Sequence, residues 1–493
     1  MTFYLSGEAD EFISNMPCLL CGFKTTDAKA PICKNGPCEI CSALTKVDEE
    51  INQAVASLER SLSKHYDILS RHNCLQGLIQ KLPIELKNRI FELLMPFDEW
   101  GEINGIGMHS FLSTISLCKG WRDIALSNPF LWSKIHIDLQ TSYDTTSQIN
   151  DWTLRSRDLP LTLHIRVDND TIDPERVLDA LSHCSNRLQS LSLDITFSNS
   201  SSDDVPLGGL QHNKFQYHRL TQLQVVTSRL PQLDQPLSLL NSTASPEKVF
   251  LEGVSFRSLQ ISWNRLISAT VFDFYLEDIT QLFRHASQMT FCQIFNLMSG
   301  PHSFSMPTII HHKLKILSFP LSIVGLAPDL LGSLTLPCLQ EVEISKNTHL
   351  ITQLPALVRR SSCPLTRLTL YQYHELPFGD LEPLPGVTDL VVKFWKSEGA
   401  MMVKLLLEGY FPDLCHLTLQ LQPFGVLWDD GLIPLLLDLK RPQPDGRNEG
   451  RFLKFTVVDQ DRISEIGPIW NSDVGEKLKE LNVTLRDDGF EFF

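Results

Sequence analysis

The 493-residue sequence predicts an α/β protein: a small all-helical region followed by a curved solenoid built on a parallel sheet. Three observations carry this expectation. Residues 47–74 contain no Pro or Gly and place apolar residues at helical spacing. Between residues 82 and 132 further helical patterns are punctuated by Pro83, Pro96 and Pro129. Beyond residue 150 one short apolar pattern returns again and again.

Residues 1–46 are cysteine-rich and irregular. In the helix expected over 47–74, Ile51, Val55, Leu58, Leu62 and Leu69 fall at alternating four- and three-residue steps, with His65 in the gap. That spacing makes one stripe on one helical face. It is short for a coiled coil and reads as an amphipathic helix packed on its neighbours.

Residues 75–139 form the next unit. In "LPIELKNRIFELLMP", Pro83 suits a first helical turn because its missing N–H is not needed there, and Leu86, Ile90 and Leu94 recur every four residues. A second helix carries Ile115, Cys118, Trp121 and Ala125 on one face. In "SNPFLW", Ser127 or Asn128 can cap a short turn begun by Pro129 and closed by Trp132. "IHIDL" then alternates as a strand.

From residue 150 to 493 the recurring unit is apolar, two variable, apolar, one variable, apolar. It starts at 188, 220, 314, 339, 365, 387, 414 and 478; from 314 to 414 the starts are 25, 26, 22 and 27 residues apart. That period is the one of leucine-rich repeats, each of which supplies a strand to a curved parallel sheet. Weaker strands at 159, 248, 268 and 452 fill most of the larger gaps, and how many repeats lie between 226 and 313 stays open.

Composition narrows the function. Apolar residues at 43% and charged residues at 20% suit a folded protein with a large core. A net charge of -15 is a poor match for a phosphate backbone, so no nucleic-acid partner is expected. The N-terminus lacks a signal-peptide pattern and no stretch is apolar enough to span a bilayer. No membrane partner and a cytoplasmic or nuclear location are therefore expected, with the cysteines as thiols or metal ligands.

The 82–132 segment resembles an F-box. "LPIELKNRIFELL" is similar to that family's opening helix, "ISLCKGWRDIA" to its Val-Cys-Lys-x-Trp-Arg helix, and "NPFLW" to its closing Leu-Trp. The loop between the first two, "MPFDEWGEINGIGMHSF", is longer than the family's compact version. "INDWTLRSRDLPLTLHIRV" is similar to a linker of F-box proteins from mushroom-forming fungi. The resemblance implies docking on the Skp-family adaptor of a cullin–RING ubiquitin ligase, with the repeats holding a protein target. It implies that Leu82, Pro83, Leu86, Ile90, Leu117, Cys118, Trp121 and Trp132 are divided between adaptor contact and the box's own core. Three short helices are expected to leave part of the two indoles open for a partner. The alternative is a repeat scaffold with a decayed F-box and no ligase role.

Other candidates rest on the residues alone. Cys18-x-x-Cys21 and Cys38-x-x-Cys41, with 16 residues between them, match a four-thiolate structural zinc site; the rival reading is a thiol-rich leader. No other cofactor is expected. Cys118 has only Lys119 beside it and reads as a packed thiol, and no P-loop, G-x-S-x-G or H-E-x-x-H pattern occurs, so no enzyme is expected. The variable positions between the apolar ones would line the concave sheet: Glu341, Glu343, Arg367, Thr369, Tyr371, Asp389, Lys393, His416, Thr418 and Gln420. Their mixed charge suits a protein target.

Overall fold

The computed structural model describes residues 39–76, 82–94, 113–115, 119–138, 145–168, 184–196, 217–227, 243–298, 306–320, 327–345, 348–371, 382–394, 410–421, 454–459, 483–487 and 490–492. The chain divides into two compact units. One comprises Met1–Ile90 with Ser113–Ala125, the other Phe91–Leu112 with Leu126–Phe493.

In the first unit, α1 runs from Glu39 to Gln76, longer at both ends than residues 47–74. Every side chain described along 45–69 is exposed, including the whole apolar stripe. Among the described residues the expected packing of this helix on its neighbours is therefore not found. Helix α2 (Ile84–Leu93), whose residues up to Ile90 belong to this unit, begins just after Pro83, whose carbonyl accepts from the Lys87 amide at 3.2 Å. Its buried residues are Lys87 and Phe91, four apart, whereas Leu86 is exposed. Helix α3 (Lys119–Ser127) buries Trp121 and Ala125, and Ile115 ahead of it is buried too.

The second unit is built on one 15-stranded sheet, with strands in chain order. Asn128 caps a 3-10 turn over Pro129–Trp132 by accepting from the Phe130 amide at 3.1 Å. That resolves the choice between Ser127 and Asn128. Strands β1 (Lys134–Asp138), β2 (Leu161–Asp168), β3 (Leu188–Thr196), β4 (Gln222–Thr227), β5 (Lys248–Glu252), β6 (Ser268–Tyr275) and β7 (Phe291–Met298) follow in parallel. Helix α4 (Thr145–Arg155) joins β1 to β2, and α5 (Leu276–His285) joins β6 to β7. β8 (Ile309–Ile310) and β10 (Leu334–Thr335) form a separate parallel pair. The large sheet continues through β9 (Ile316–Phe319), β11 (Glu341–Ser345), β12 (Arg367–Tyr371), β13 (Asp389–Phe394), β14 (His416–Leu421), β15 (Lys454–Asp459) and β16 (Val483–Asp487). Helices α6 (Ala327–Ser333) and α7 (Thr348–Ser361) lie in the connections before β10 and β12. Among the described strands only the last pairing, β16 with β17 (Phe490–Phe492), is antiparallel.

The recurring apolar triplet explains this sheet. Its first member is buried at Leu188, Leu220, Leu314, Leu339, Leu365, Val387 and Leu414. Its second and third members lie two apart on a strand and so share one face: Leu368 with Leu370 and Leu390 with Val392 are fully or nearly fully buried. The residue between them faces the other way, so the opposite face of the sheet carries the variable positions. Each repeat thus contributes three core residues and one row of surface chemistry.

After β5 and within β6 and β7, three residues at matching positions adopt the left-handed conformation: Gly253 (φ 65), Asp273 (φ 54) and Asn296 (φ 50). The Asn296 amide donates to the Asp273 carboxylate across the strands. Asn and Asp tolerate this backbone best among residues with a Cβ. At Gly253 a Cβ would lie 2.5 Å from Thr227 Oγ1 and 2.7 Å from Thr227 O, so only glycine fits.

Candidate functional site

Two surfaces carry the chemistry that the sequence singles out. The first lies on α2. Leu86 is 51% exposed, Ile90 half-buried and Leu93 71% exposed. Spaced at i, i+4 and i+7, they form an apolar row on the side of the helix away from Lys87 and Phe91. Leu82 just ahead is half-buried and Pro83 exposed.

The two tryptophans behave differently from expectation. Trp121 is 6% exposed and Trp132 2% exposed, so neither indole is open. Part of the cover over Trp132 comes from outside the three short helical pieces. Trp152 of α4 stands edge-on to it, with centroids 5.1 Å apart and planes at 82°. Arg155, one turn further on, sets its guanidinium 4.7 Å from the Trp132 ring centroid. Leu117 and Cys118 lie outside the described residues.

Arg187, just before β3, fixes the exit of α4. Its guanidinium donates to the carbonyl of Thr153 at 3.0 Å, to Ser156 Oγ at 2.9 Å, and to the carbonyl of Leu159 at 2.8 and 3.2 Å. The "RSRDLP" turn is thereby tied to the first repeat. Sequence reasoning passed over Arg187, since nothing about a single Arg before a strand marks it as a clamp.

The second surface is the variable face of the sheet. Strand pairing aligns Glu341, Arg367, Asp389 and His416 in one row, and Glu343, Thr369, Val391 and Thr418 in the next. Tyr371, Lys393 and Gln420 form a third. At the centre sits the Glu343 carboxylate. It accepts from the hydroxyls of Ser318 in β9 and Tyr371 in β12. The Lys393 ammonium lies 3.8 Å from it, donates to the Tyr371 oxygen at 2.5 Å, and sits 4.2 Å from the Tyr371 ring centroid. Gln293 of β7 extends the chain to Ser318 at 3.4 Å. At the edge, His416 Nδ1 lies 3.4 Å from Asp389 Oδ1. Arg367 is exposed and Thr369 buried, while Thr418 is half-buried.

The cluster unites Glu343, Tyr371 and Lys393, as the sequence allowed, and adds Ser318 and Gln293. Ser318 was legible in principle, because it occupies the variable place in "LKILSF". Chemically the cluster is closed: its carboxylate and ammonium compensate each other. Burial, then the hydrogen bond to and the charge of Glu343, push the Tyr371 phenol above its ordinary range. That is opposite to what a tyrosine base working near neutrality needs. The arrangement suits holding a shaped surface.

No protein-family model matches this chain, and no curated protein matches it. Cys18, Cys21 and Cys38 lie outside the described residues, and Cys41 falls in the first turn of α1. Among the described residues no group of three or more His, Cys, Asp or Glu is placed to hold a metal. No helix among them is long and apolar enough to cross a membrane.

Proposed function

We propose that this chain is the substrate-recognition subunit of a cullin–RING ubiquitin ligase. In this reading α2 docks on a Skp-family adaptor, and the repeats form a curved solenoid whose variable face holds a protein target. The observation that carries it is the apolar Leu86–Ile90–Leu93 row, exposed at Leu86 and Leu93 and half-buried at Ile90, which lies in the segment whose sequence resembles an F-box. Apolar side chains that stay open on a short helix are the kind of anchor that dominates protein interfaces. Burial of Trp121 and Trp132 assigns those indoles to the core, so adaptor contact rests on the α2 row. The variable face supports the second half of the reading, since its mixed charge and central Tyr371 match the composition of protein-binding surfaces.

The test is capture of purified Skp-family adaptor by the full chain, beside a Leu86→Asp/Leu93→Asp variant. Both positions are exposed, so the variant keeps its fold and circular dichroism checks that it does. Capture by the wild type and its loss in the folded variant support the reading. A folded wild type that captures no adaptor overturns it and leaves a repeat scaffold without ligase role.

A further inference from the structure

Between the end of α5 and the β8 segment lies a half-open pocket of about 280 Å³, lined by none of the residues of the α2 row or the variable face. The buried His311 ring ties its two sides together. Nε2 donates to the Ala286 carbonyl at 2.9 Å, just past α5, and the His311 amide donates to the Thr335 carbonyl of β10 at 2.9 Å. Phe283 and His311, both buried, close the inner side with their rings edge-on. Ile309 and the exposed Ile310 form an apolar wall. These walls stand in place before any ligand arrives, which lowers the cost of binding.

The rim is cationic and rich in donors. Arg284 and His312 line it, together with Ser287 and Thr308, and all four are exposed. None of the lining residues is acidic. The chain carries 58 Asp and Glu, yet residues 279–328 contain none, so the only Lys and Arg of that stretch, Arg284, Lys313 and Lys315, meet no acid within it. At the far end of α5, Glu277 is paired with Arg257 and Asp278 bonds Ser255.

Arg284 is not needed to cap its own helix. The carbonyl of Gln281 is taken by His285 Nδ1 at 2.8 Å, that of Leu282 by the Ala286 amide at 2.9 Å, and that of Ala286 by His311. Among the described residues the Arg284 guanidinium makes no hydrogen bond or ion pair. An unengaged guanidinium beside hydroxyls and apolar walls suits an anion with an organic part.

We propose that this pocket binds a small phosphate monoester with an apolar organic part. The planar fork of Arg284 matches two phosphate oxygens, and the hydroxyls and imidazole of the rim supply donors for the third. A carboxylate offers only two oxygens to the same donors. The volume falls just under the roughly 300 Å³ at which drug-sized ligand sites begin, which limits the organic part to one ring or a short chain. Phe283, Ile309 and Ile310 supply its apolar contacts. This site is independent of adaptor docking.

The experiment is a ligand-observed saturation-transfer NMR titration of the full chain with phenyl phosphate. Binding in the micromolar to low-millimolar range is expected for a ligand of this size, and no transfer up to about 10 mM overturns the proposal. Inorganic phosphate and phenol, each half of the probe, should compete at least tenfold more weakly than phenyl phosphate itself. Equal competition by either half overturns a site that reads both. Benzoate binding more tightly than phenyl phosphate overturns the assignment to phosphate. Arg284→Gln should weaken binding tenfold or more with an unchanged circular dichroism spectrum, and Ile310→Glu, on the apolar wall, should do so independently. Arg257→Gln, at the far end of α5, should leave binding as it is. Unchanged binding in the first two variants, or an equal loss in the third, overturns the assignment to this pocket.

Discussion

Trp152 of α4 meets Trp132 of the 3-10 turn edge-on at 5.1 Å, and with that contact the helix after β1 becomes part of the core around Trp132. Trp152 is held in place because Ser156 and Thr153, on the same helical end, are gripped by Arg187. Removing the indole with Trp152→Ala should cost about 3–5 kcal/mol, as for other buried aromatic deletions. Urea unfolding read by tryptophan fluorescence measures it, and Trp132 emission should shift to the red. A loss under about 1 kcal/mol would show that Trp132 has its cover elsewhere.

Glu343 is the acceptor for two hydroxyls and the counter-charge for Lys393. Glu343→Ala leaves both hydroxyls and the ammonium without that carboxylate, at a cost of about 2–3 kcal/mol. The phenol of Tyr371 should then titrate closer to its ordinary value, because the hydrogen bond and charge that raise it are gone. Alkaline absorbance titration follows this directly. The sign is fixed by the raised folded pKa: the contribution to stability is whole below the unfolded value and is lost as pH rises through the folded one. An unchanged tyrosine titration in the variant would leave burial alone as the cause.

Much of this fold was legible because its code is repetitive. Leu368, Leu370, Leu390 and Val392 announce inward positions by simple alternation, and the parallel order of strands follows from the repeat. What stayed hidden was written in atypical residues. β7 keeps the triplet as Met289, Cys292 and Ile294, where a thiol stands in for the usual leucine. Cys292 is fully buried, and burial pushes its thiol up to about 12. The left-handed row of Gly253, Asp273 and Asn296 was equally silent, since its meaning appears only when three strands are laid side by side. Of the candidate site, the positions on the sheet could be read, but not that Glu343 would gather its neighbours. The exposure of α1 was misread because amphipathicity gives a face and says nothing of what covers it.

Gly253 tests the left-handed row. A Cβ there meets Thr227 Oγ1 and Thr227 O, and the backbone stands at φ 65. Thr227 Oγ1 also donates to the Gly253 carbonyl at 2.7 Å, so the threonine cannot turn away without losing that bond. Gly253→Ala should therefore destabilise the protein by about 2–4 kcal/mol, combining left-handed strain with displacement of β4. Thermal unfolding gives the comparison. Asn296→Gly, at a left-handed residue on an exposed position, should by contrast be close to neutral.

His311 makes one acid-sensitive contribution to stability. Its ring is buried just before Leu314, with Phe283 of α5 edge-on at 5.8 Å. Nε2 donates to the Ala286 carbonyl at 2.9 Å, and Nδ1 accepts from the Leu314 amide at 3.1 Å. The second bond needs a lone pair, so the ring must be neutral. Burial lowers its pKa below the ordinary histidine value, more strongly than its hydrogen bonds raise it. With a depressed folded pKa, this contribution is present above the unfolded value, near 6.5, and is lost as pH falls below it. Stability should drop by up to about 1.4 kcal/mol per pH unit in that window on this account. His311→Asn should lower the melting temperature at pH near 7.5 and flatten its fall toward pH near 5. If the slope of the variant matches that of the wild type, the acid sensitivity belongs to other groups.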